Sequence, residues 1–394
     1  MTDTLPDRID PVWMRQEDMV ALVETLGAKN ARFVGGSVRD TLLGLPVKDI
    51  DMATTLEPDE VMIRLKRADI HRVPTGIDHG TVTAVLPGGP VEITTLRHDV
   101  STDGRRATVA FAEDWPEDAA RRDFTINALY ADPLSGEIFD YFDGLADLAA
   151  RRVRFIGDAR QRIREDHLRI LRYFRFQARF GSQPADAEAE GACAELAATL
   201  KGLSRERVGM EMMNLLGLPD PAPTIARMGD LGVLAVILPE ADPAALSALI
   251  TAERAQGIAP DPLRRLAALL PPQATLAEQI AARFRLSGTQ KKRLSTAAAR
   301  EAEAGDARAL AYRLGRESAL DRLLIAGADA SPLNDWQIPQ FPLKGGKIVA
   351  RGVSAGPEVA RTLCRVEDRW IAEGFPDAER VDALLDAELA EQNS

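Results

Sequence analysis

Two carboxylates one residue apart, Asp49 and Asp51, stand downstream of the glycine-rich run GGSVRDTLLG that begins at Gly35. On a β-strand, residues i and i+2 share a face, so both carboxylates can grip the same hard cations. Mg²⁺ takes a few carboxylate oxygens and completes its shell with water and substrate phosphates. Two such ions about 3.5–4 Å apart can activate an attacking hydroxyl and stabilise a leaving pyrophosphate. A bare Asp-X-Asp serves equally well in a loop or a cap, and it is the setting that points to nucleotidyl transfer. Phe33-Val34 reads as the end of a buried strand. Gly35, Gly36 and Ser37 read as a tight turn whose backbone N–H groups can approach a triphosphate. Val38 to Leu43 reads as the opening of a helix, whose N-terminus favours anions, and Arg39 adds a fixed positive charge.

The elements that must position this chemistry are a small sheet and the helices around it. Residues from about Asp18 to Leu26 look helical; Phe33-Val34, Asp49 to Met52, Gly80 to Leu86 and Val91 to Leu96 read as strands of one sheet. Glu92, in the strand VEITTL, is either a third carboxylate brought across to the pair or a structural residue of a half-solvated strand. The polar text from His98 to Ala107 reads as a mobile loop. It is followed by a strand from Thr108 to Phe111, a helix around Glu117 to Ala131, and an end to the sheet near Phe142. Beyond Ala150 the apolar spacing is helical almost everywhere. Breaks fall at Gly181 to Pro184, Gly217 to Pro223, Gly257 to Pro262, Pro271-Pro272 and Ser331 to Gly346. Gly356-Pro357 places proline at a first helical position, opening a helix through about Ala372. The fold class is therefore α+β, a small mixed-sheet head followed by an elongated all-helical body.

Composition narrows the class. At 394 residues, 45% hydrophobic and 28% charged, the chain suits two to four packed units of an ordinary globular protein. The polar, acidic start MTDTLPDRIDP does not read as a secretory signal, and no apolar run reaches the roughly 20 residues that span a bilayer. Cys193 and Cys364 lie far apart without metal-ligand spacing, read as packing residues, and fit a reducing cytoplasm. A net charge of −11 argues against a polyanionic partner, but its distribution argues otherwise. Between Arg151 and Phe180 there are ten arginines against three acids. Such a run is either a solvated helix face or a binding surface, and its coincidence with a chemical motif favours binding.

The residues ARFVGGSVRDTLLGLPVKDIDMAT, from Ala31 to Thr54, resemble the head motif of the class II tRNA nucleotidyltransferase and bacterial poly(A) polymerase family. Similar blocks follow in the family's order: RRDFTINAL from Arg121, YFDGLADLAARRVRFIG from Tyr141, EDHLRILRYFRF from Glu165 and LSRERVGME from Leu203. Together they cover roughly residues 30 to 212. The resemblance implies a nucleotidyltransferase head at 1–145, a helical nucleotide-selecting neck at 146–215 and a helical tRNA-binding body and tail at 216–394. It implies addition or repair of the 3′-terminal CCA of tRNA from CTP and ATP, without a nucleic-acid template. Asp49 and Asp51 would hold two Mg²⁺ ions, with Glu92 as the further catalytic candidate.

In the second block, Arg122 would meet phosphate, while Asp123 and Asn127, four apart on one helix face, would read ribose hydroxyls; without the other motifs they read as a charged helical turn. Glu165, Asp166 and Arg169 have spacings that place Arg169 beside both acids on a helix, an ordinary intrahelical salt bridge by default. Adenine and cytosine each present an amino donor beside a ring-nitrogen acceptor, so Asp166 accepting and Arg169 donating would pair with either. Guanine and uracil would be mispaired and rejected. The resemblance implies this base-selecting role, with Glu165 holding the arginine. Arg172 and Arg175 continue at i+3 steps towards the triphosphate, and Arg179 reads as peripheral. Asp103, Gly104 and Arg105 are either a plain hairpin loop or a lever that readjusts the site between the two nucleotides. His98-Asp99 resembles the dyad of a metal phosphohydrolase domain, but the other histidines, His71, His79 and His167, all lie in the first half. The rival function is a poly(A) polymerase, which shares the head. The stretch from Ala372 carries one arginine against seven acids, so the basic tail that such enzymes often have is missing. tRNA is the expected partner, with neither DNA nor membrane.

Overall fold

In the computed structural model, which describes residues 5–77, 80–102, 107–112, 114–300 and 306–392, the chain divides into two compact units, Met1–Pro239 and Glu240–Ser394. In the first, helix α1 (Glu17–Leu26) buries Met19, Leu22, Val23 and Leu26, the i, i+3, i+4, i+7 stripe of an amphipathic helix. Gly27 ends it at φ +83°, a backbone value that a side chain would resist. Strand β1 (Ala31–Val34) follows with Ala31, Phe33 and Val34 buried, then α2 (Gly36–Leu42), β2 (Ile50–Thr54) and α3 (Pro58–Arg67). Proline opens α3, and Asp59 and Glu60 sit in its first turn, where negative charge suits the helix dipole.

Strands β3 (His71–Gly76), β4 (Thr81–Leu86) and β5 (Gly89–Thr95) come next. An antiparallel pair follows, β6 (Arg97–Thr102) with β7 (Ala107–Phe111). The chain then runs through α4 (Trp115–Ala120), a 3₁₀ turn at Thr125–Asn127, and strands β8 (Leu129–Ala131) and β9 (Ile138–Asp140). The main sheet is mixed, in the order β3-β4-β5-β2-β1-β8-β9. Only β2 and β5 run parallel, with Asp51 directly opposite Glu92.

Two expectations about the head need correcting. The polar stretch from 98 is not a loop up to Ala107: residues 97–102 form a strand of a two-stranded ribbon. A ribbon of that kind does not require alternating apolar residues, so composition hid it. The helix expected over Glu117 to Ala131 stops at Ala120. Tertiary partners claim the next residues: Thr125 N donates to Arg154 O at 3.1 Å, its hydroxyl donates to Asp147 at 2.6 Å, and Phe124 bridges to Phe155.

The rest of the first unit is helical: α5 (Gly144–Ala149), α6 (Ala159–Glu165), α7 (Arg169–Phe180), α8 (Ala187–Leu196), α9 (Arg205–Leu216), α10 (Ala222–Asp230) and α11 (Val233–Ile237). Helix α7 buries Ile170, Tyr173, Phe174, Phe176 and Gln177 and packs on α9. The head and neck outlined from the sequence both lie in this unit, and so do residues 216–239 of the expected body.

Among the described residues of the second unit the regular structure is all helical, from α12 (Pro243–Ala255) and α13 (Pro262–Leu269) to its final helix at Ala378–Gln392. The expected breaks coincide with helix boundaries, the first two of them in the first unit, and the helix Pro357–Ala372 opens at its proline. Glu253 and Asp321 are buried with Arg264 and Arg265. Glu253 accepts from Arg264 Nε at 2.8 Å and from Arg265 Nε at 2.9 Å. Cys193 is buried as expected, whereas Cys364 is exposed and does not serve packing.

Candidate active site

A cleft of about 590 Å³ in the first unit collects residues from four separate stretches of chain. It is lined by Gly35, Gly36, Arg39, Asp49, Asp51, Arg121, Arg122, Asp123, Asn127, Asp166, Arg169, Arg172, Arg175 and Phe176. Six arginines against four aspartates make it positive inside a chain of net charge −11. That local balance favours an anion such as a triphosphate.

The turn after β1 carries the first residues. Gly35 has φ +70° and ψ −118°, a conformation open to glycine, and a Cβ there would come within 3.5 Å of Asn127 O. Ser37 is not brought to the cleft: it is buried, and its hydroxyl donates to Val34 O at 3.3 Å. Arg39 points back from α2, held by Asp40 at 2.6 Å and donating to the Asn127 side-chain oxygen.

Asp49 stands one residue before β2, not within the strand, and Asp51 lies in it; both reach the cleft. Burial raises the Asp51 carboxyl to about 6, neighbouring Glu92 and Asp49 add to the rise, and Arg122 opposes it. Loss of solvent disfavours the charged carboxylate, and the neighbouring acids push the same way. Glu92 is exposed and does not line the cleft, and among the described residues no group of three His, Cys, Asp or Glu side chains is arranged to hold a metal alone. Two carboxylates with room for phosphate oxygens and water suit Mg²⁺ better than a closed protein cage would.

Asp123 and Asn127 do not share a helix, but the turn between them gives the same proximity, with Asn127 Nδ2 donating to Asp123 at 3.1 Å. Arg172 caps the same carboxylate at 2.5 Å. Burial alone would raise the Asp123 pKa, but Arg172 and the Asn127 hydrogen bond outweigh it and hold the group ionised. Arg122 is fixed by Asp118 at 3.1 Å and by the Tyr130 hydroxyl at 3.1 Å.

Glu165, Asp166 and Arg169 do not sit on one helix either. Helix α6 ends at Glu165, Asp166 is extended (φ −149°, ψ 105°), and α7 starts at Arg169. Arg169 therefore pairs with Glu165 at 2.6 Å, while Asp166 pairs with Arg207 of α9 at 2.6 Å and accepts from Leu168 N at 3.1 Å. Arg169 Nη1 also donates to Arg162 O at 2.9 Å and Nη2 to Arg121 O at 3.1 Å. Those bonds use three of five N–H groups, leaving Nε–H and one Nη2 hydrogen for a ligand.

The arginine run is less available than its count implied. Arg152, Arg154, Arg160, Arg162, Arg169, Arg172, Arg175 and Arg179 all pair with acids. Only Arg169, Arg172 and Arg175 line the cleft, and Arg179, exposed and bound to Asp40, is peripheral as expected. Asp103, Gly104, Arg105 and His79 lie outside the described residues. Sequence reasoning missed Arg121 and Phe176 in the lining, and Arg207, Glu211 and Asp118 behind it. Arg207 and Glu211 were visible within LSRERVGME, but nothing in their spacing shows that α9 packs beside α7.

Residues 31–154 match the family described as "Poly A polymerase head domain", and residues 186–245 match "Probable RNA and SrmB- binding site of polymerase A". The chain is 34% identical to the mitochondrial CCA tRNA nucleotidyltransferase 1 of Mus musculus over 386 residues, covering 91% of this chain and 87% of that one. It is 45% identical to the CCA-adding enzyme of Latilactobacillus sakei over 188 residues, 47% of this chain and 46% of the relative. Among solved structures, the Bacillus stearothermophilus CCA-adding enzyme in complex with CTP matches with a TM-score of 0.73 and 25% identity, across 96% of this chain and 98% of that one. The Thermotoga maritima CCA-adding enzyme complexed with tRNA shares the fold at a TM-score of 0.71 and 20% identity, across 98% and 97% of the two chains.

Proposed function

We propose, because this chain belongs to the family of CCA-adding tRNA nucleotidyltransferases, that its cleft performs the family's reaction with the residues assembled there. The enzyme adds or repairs the 3′-terminal CCA of tRNA, using CTP and ATP and no nucleic-acid template. The observation that carries the assignment of residues is that Asp49, Asp51, Asp166 and Arg169 line one cleft.

Asp49 and Asp51 would hold Mg²⁺, which when bound makes the tRNA 3′-hydroxyl more acidic and neutralises charge on the departing pyrophosphate. A cation beside Asp51 favours the charged carboxylate that burial and the neighbouring acids disfavour, which supports that use. Arg39, Arg122, Arg172 and Arg175, with the backbone of Gly35 and Gly36, bind and orient the triphosphate for in-line displacement. Asp123 and Asn127 accept from and donate to the ribose hydroxyls.

Base choice belongs to Asp166 and Arg169. Arg207 and Leu168 N fix the Asp166 carboxylate, and Glu165 fixes the guanidinium, so acceptor and donor are set before a nucleotide enters. Cytosine and adenine satisfy both groups, while uracil and guanine leave both mispaired. The segment at 103–105 would act as the lever between the two nucleotides, and the division of labour is a head at 1–145, a neck at 146–215 and a tRNA-binding body at 216–394. No helix of the described residues is long and apolar enough to cross a membrane. The two free thiols, Cys193 and Cys364, suit a reducing cytoplasm, where we place the enzyme.

The test is incorporation on tRNAs ending before, within and just short of completing CCA, with each nucleotide offered separately. C at the first two positions and A at the third, with no U or G, is the expected result. A homopolymeric A tail without C would replace this reading by a poly(A) polymerase.

A further inference from the structure

We propose that Phe176 is a positioning residue that sets the mutual spacing of the three triphosphate-binding arginines, an inference that rests on the triphosphate role given to the cleft above. The guanidinium carbons of Arg39, Arg172 and Arg175 lie 5.3, 5.5 and 4.9 Å from the centre of its ring. All three fall inside the range in which a ring's electron-rich face attracts a cation. The ring lines the cleft and is only 6% exposed.

Each arginine also pairs with an acid, and Arg172 reaches Glu211 at 3.9 Å besides its nearer partner. Arg39 is held by Asp40 at 2.6 Å, Arg172 by Asp123 at 2.5 Å and Arg175 by Glu211 at 2.6 Å. The acids come from α2, from the segment after α4 and from α9. They anchor one end of each side chain but leave three like charges to repel one another around the cleft. The ring is the group that all three share, and it is itself pinned against Phe124 at 5.0 Å and Phe180 at 5.5 Å. It therefore gathers the cations before an anion arrives, which lowers the cost of ordering them when the phosphates bind. A leucine fills much of the space but offers no such face.

The experiment uses the full chain and inorganic tripolyphosphate as the probe, with affinity read by titration calorimetry in the absence of tRNA. Phe176→Leu weakens tripolyphosphate about tenfold. It raises KM for CTP and ATP by a common factor and leaves kcat and the rejection of UTP and GTP unchanged. Phe176→Tyr, which keeps the ring, stays within about twofold of the parent. Phe155→Leu serves as the packing control, since Phe155 joins the same aromatic cluster through Phe124 and Tyr173. It lowers the melting temperature without changing tripolyphosphate affinity. Should Phe176→Leu fail to fold, Phe176→Met carries the same reading with an unbranched side chain that adapts to the space left by the ring. Unchanged tripolyphosphate affinity in the folded variant, or an equal loss in Phe155→Leu, overturns the proposal. Weakened tripolyphosphate in a protein that adds no C or A to tRNA would sink the CCA reading and leave this one standing.

Discussion

Asp166 owes its orientation to Arg207, a side chain 41 positions further along the chain. Removing that partner frees the carboxylate to rotate, so the acceptor that selects the base is no longer fixed. Arg207→Ala should therefore erode the rejection of UTP and GTP by about tenfold, the scale of one charge-assisted hydrogen bond. Misincorporation assays with single nucleotides measure it, and unaltered selectivity would show that Asp166 needs no such support. Asp49→Ala should abolish incorporation while tRNA binding, followed by gel shift, stays near the parent value. At this scale the sequence was informative wherever chemistry dictates residue type: among the described residues, the assigned acids and arginines line the cleft except Glu92 and Glu165, and Glu165 stands behind Arg169. Arg207, Glu211 and Phe176 escaped because their roles arise from helix packing, which leaves no mark on local spacing.

Helix α4 is tied to strand β8 through one buried carboxylate. Asp118 accepts from Arg121 at 2.7 Å, from Arg122 at 3.1 Å and from the Tyr130 hydroxyl at 2.6 Å. Burial alone would raise its pKa, but the two arginines and the tyrosine prevail and bring it from 3.8 down to about 2. A carboxyl lowered on folding adds stability above its unfolded value, and that stability is lost as pH falls from about 4 through about 2. Asp118→Asn should cost about 2 kcal/mol at pH 7 and much less near pH 2, by denaturant melts at both pH values. An equal loss at both would show that charge is not the cause. Gly35→Ala tests the turn after β1: its φ of +70° strains any side chain, and incorporation should fall by at least tenfold at unchanged overall stability to within about 2 kcal/mol. Strand β5 and the stripe of α1 were legible because each buries one face, and β4 because its short apolar run is bounded by glycine and proline. The break between α6 and α7 was not, since EDHLR has helical spacing and its unwinding at Asp166 answers to Arg207 and the cleft.

Across the whole chain, charge is arranged by pairing more than by total. Arginines that looked like a binding surface in sequence are mostly neutralised by acids from other elements, and the second unit buries its own network. There Glu253 is 1% exposed, and Arg293 bridges Asp321 at 2.7 Å and Asp261 at 2.9 Å. Glu253→Ala removes the buried carboxylate that Arg264 and Arg265 share and should destabilise the second unit by about 3–5 kcal/mol in chemical denaturation. CTP affinity at the cleft, whose lining residues belong to the first unit, should stay unchanged when measured by titration. Helix boundaries in this second unit were readable because glycine and proline mark them, whereas the pairing of its charges required the packed structure. The assembly of the cleft from distant stretches also has a temporal consequence. Asp49 and Asp51 emerge from the ribosome early, but the pocket lacks a wall until residue 176 has been translated and folded against them. An unfinished copy can carry the whole glycine-rich head motif and still have no means of choosing a nucleotide, so a nascent or truncated product is chemically silent towards the RNA around it.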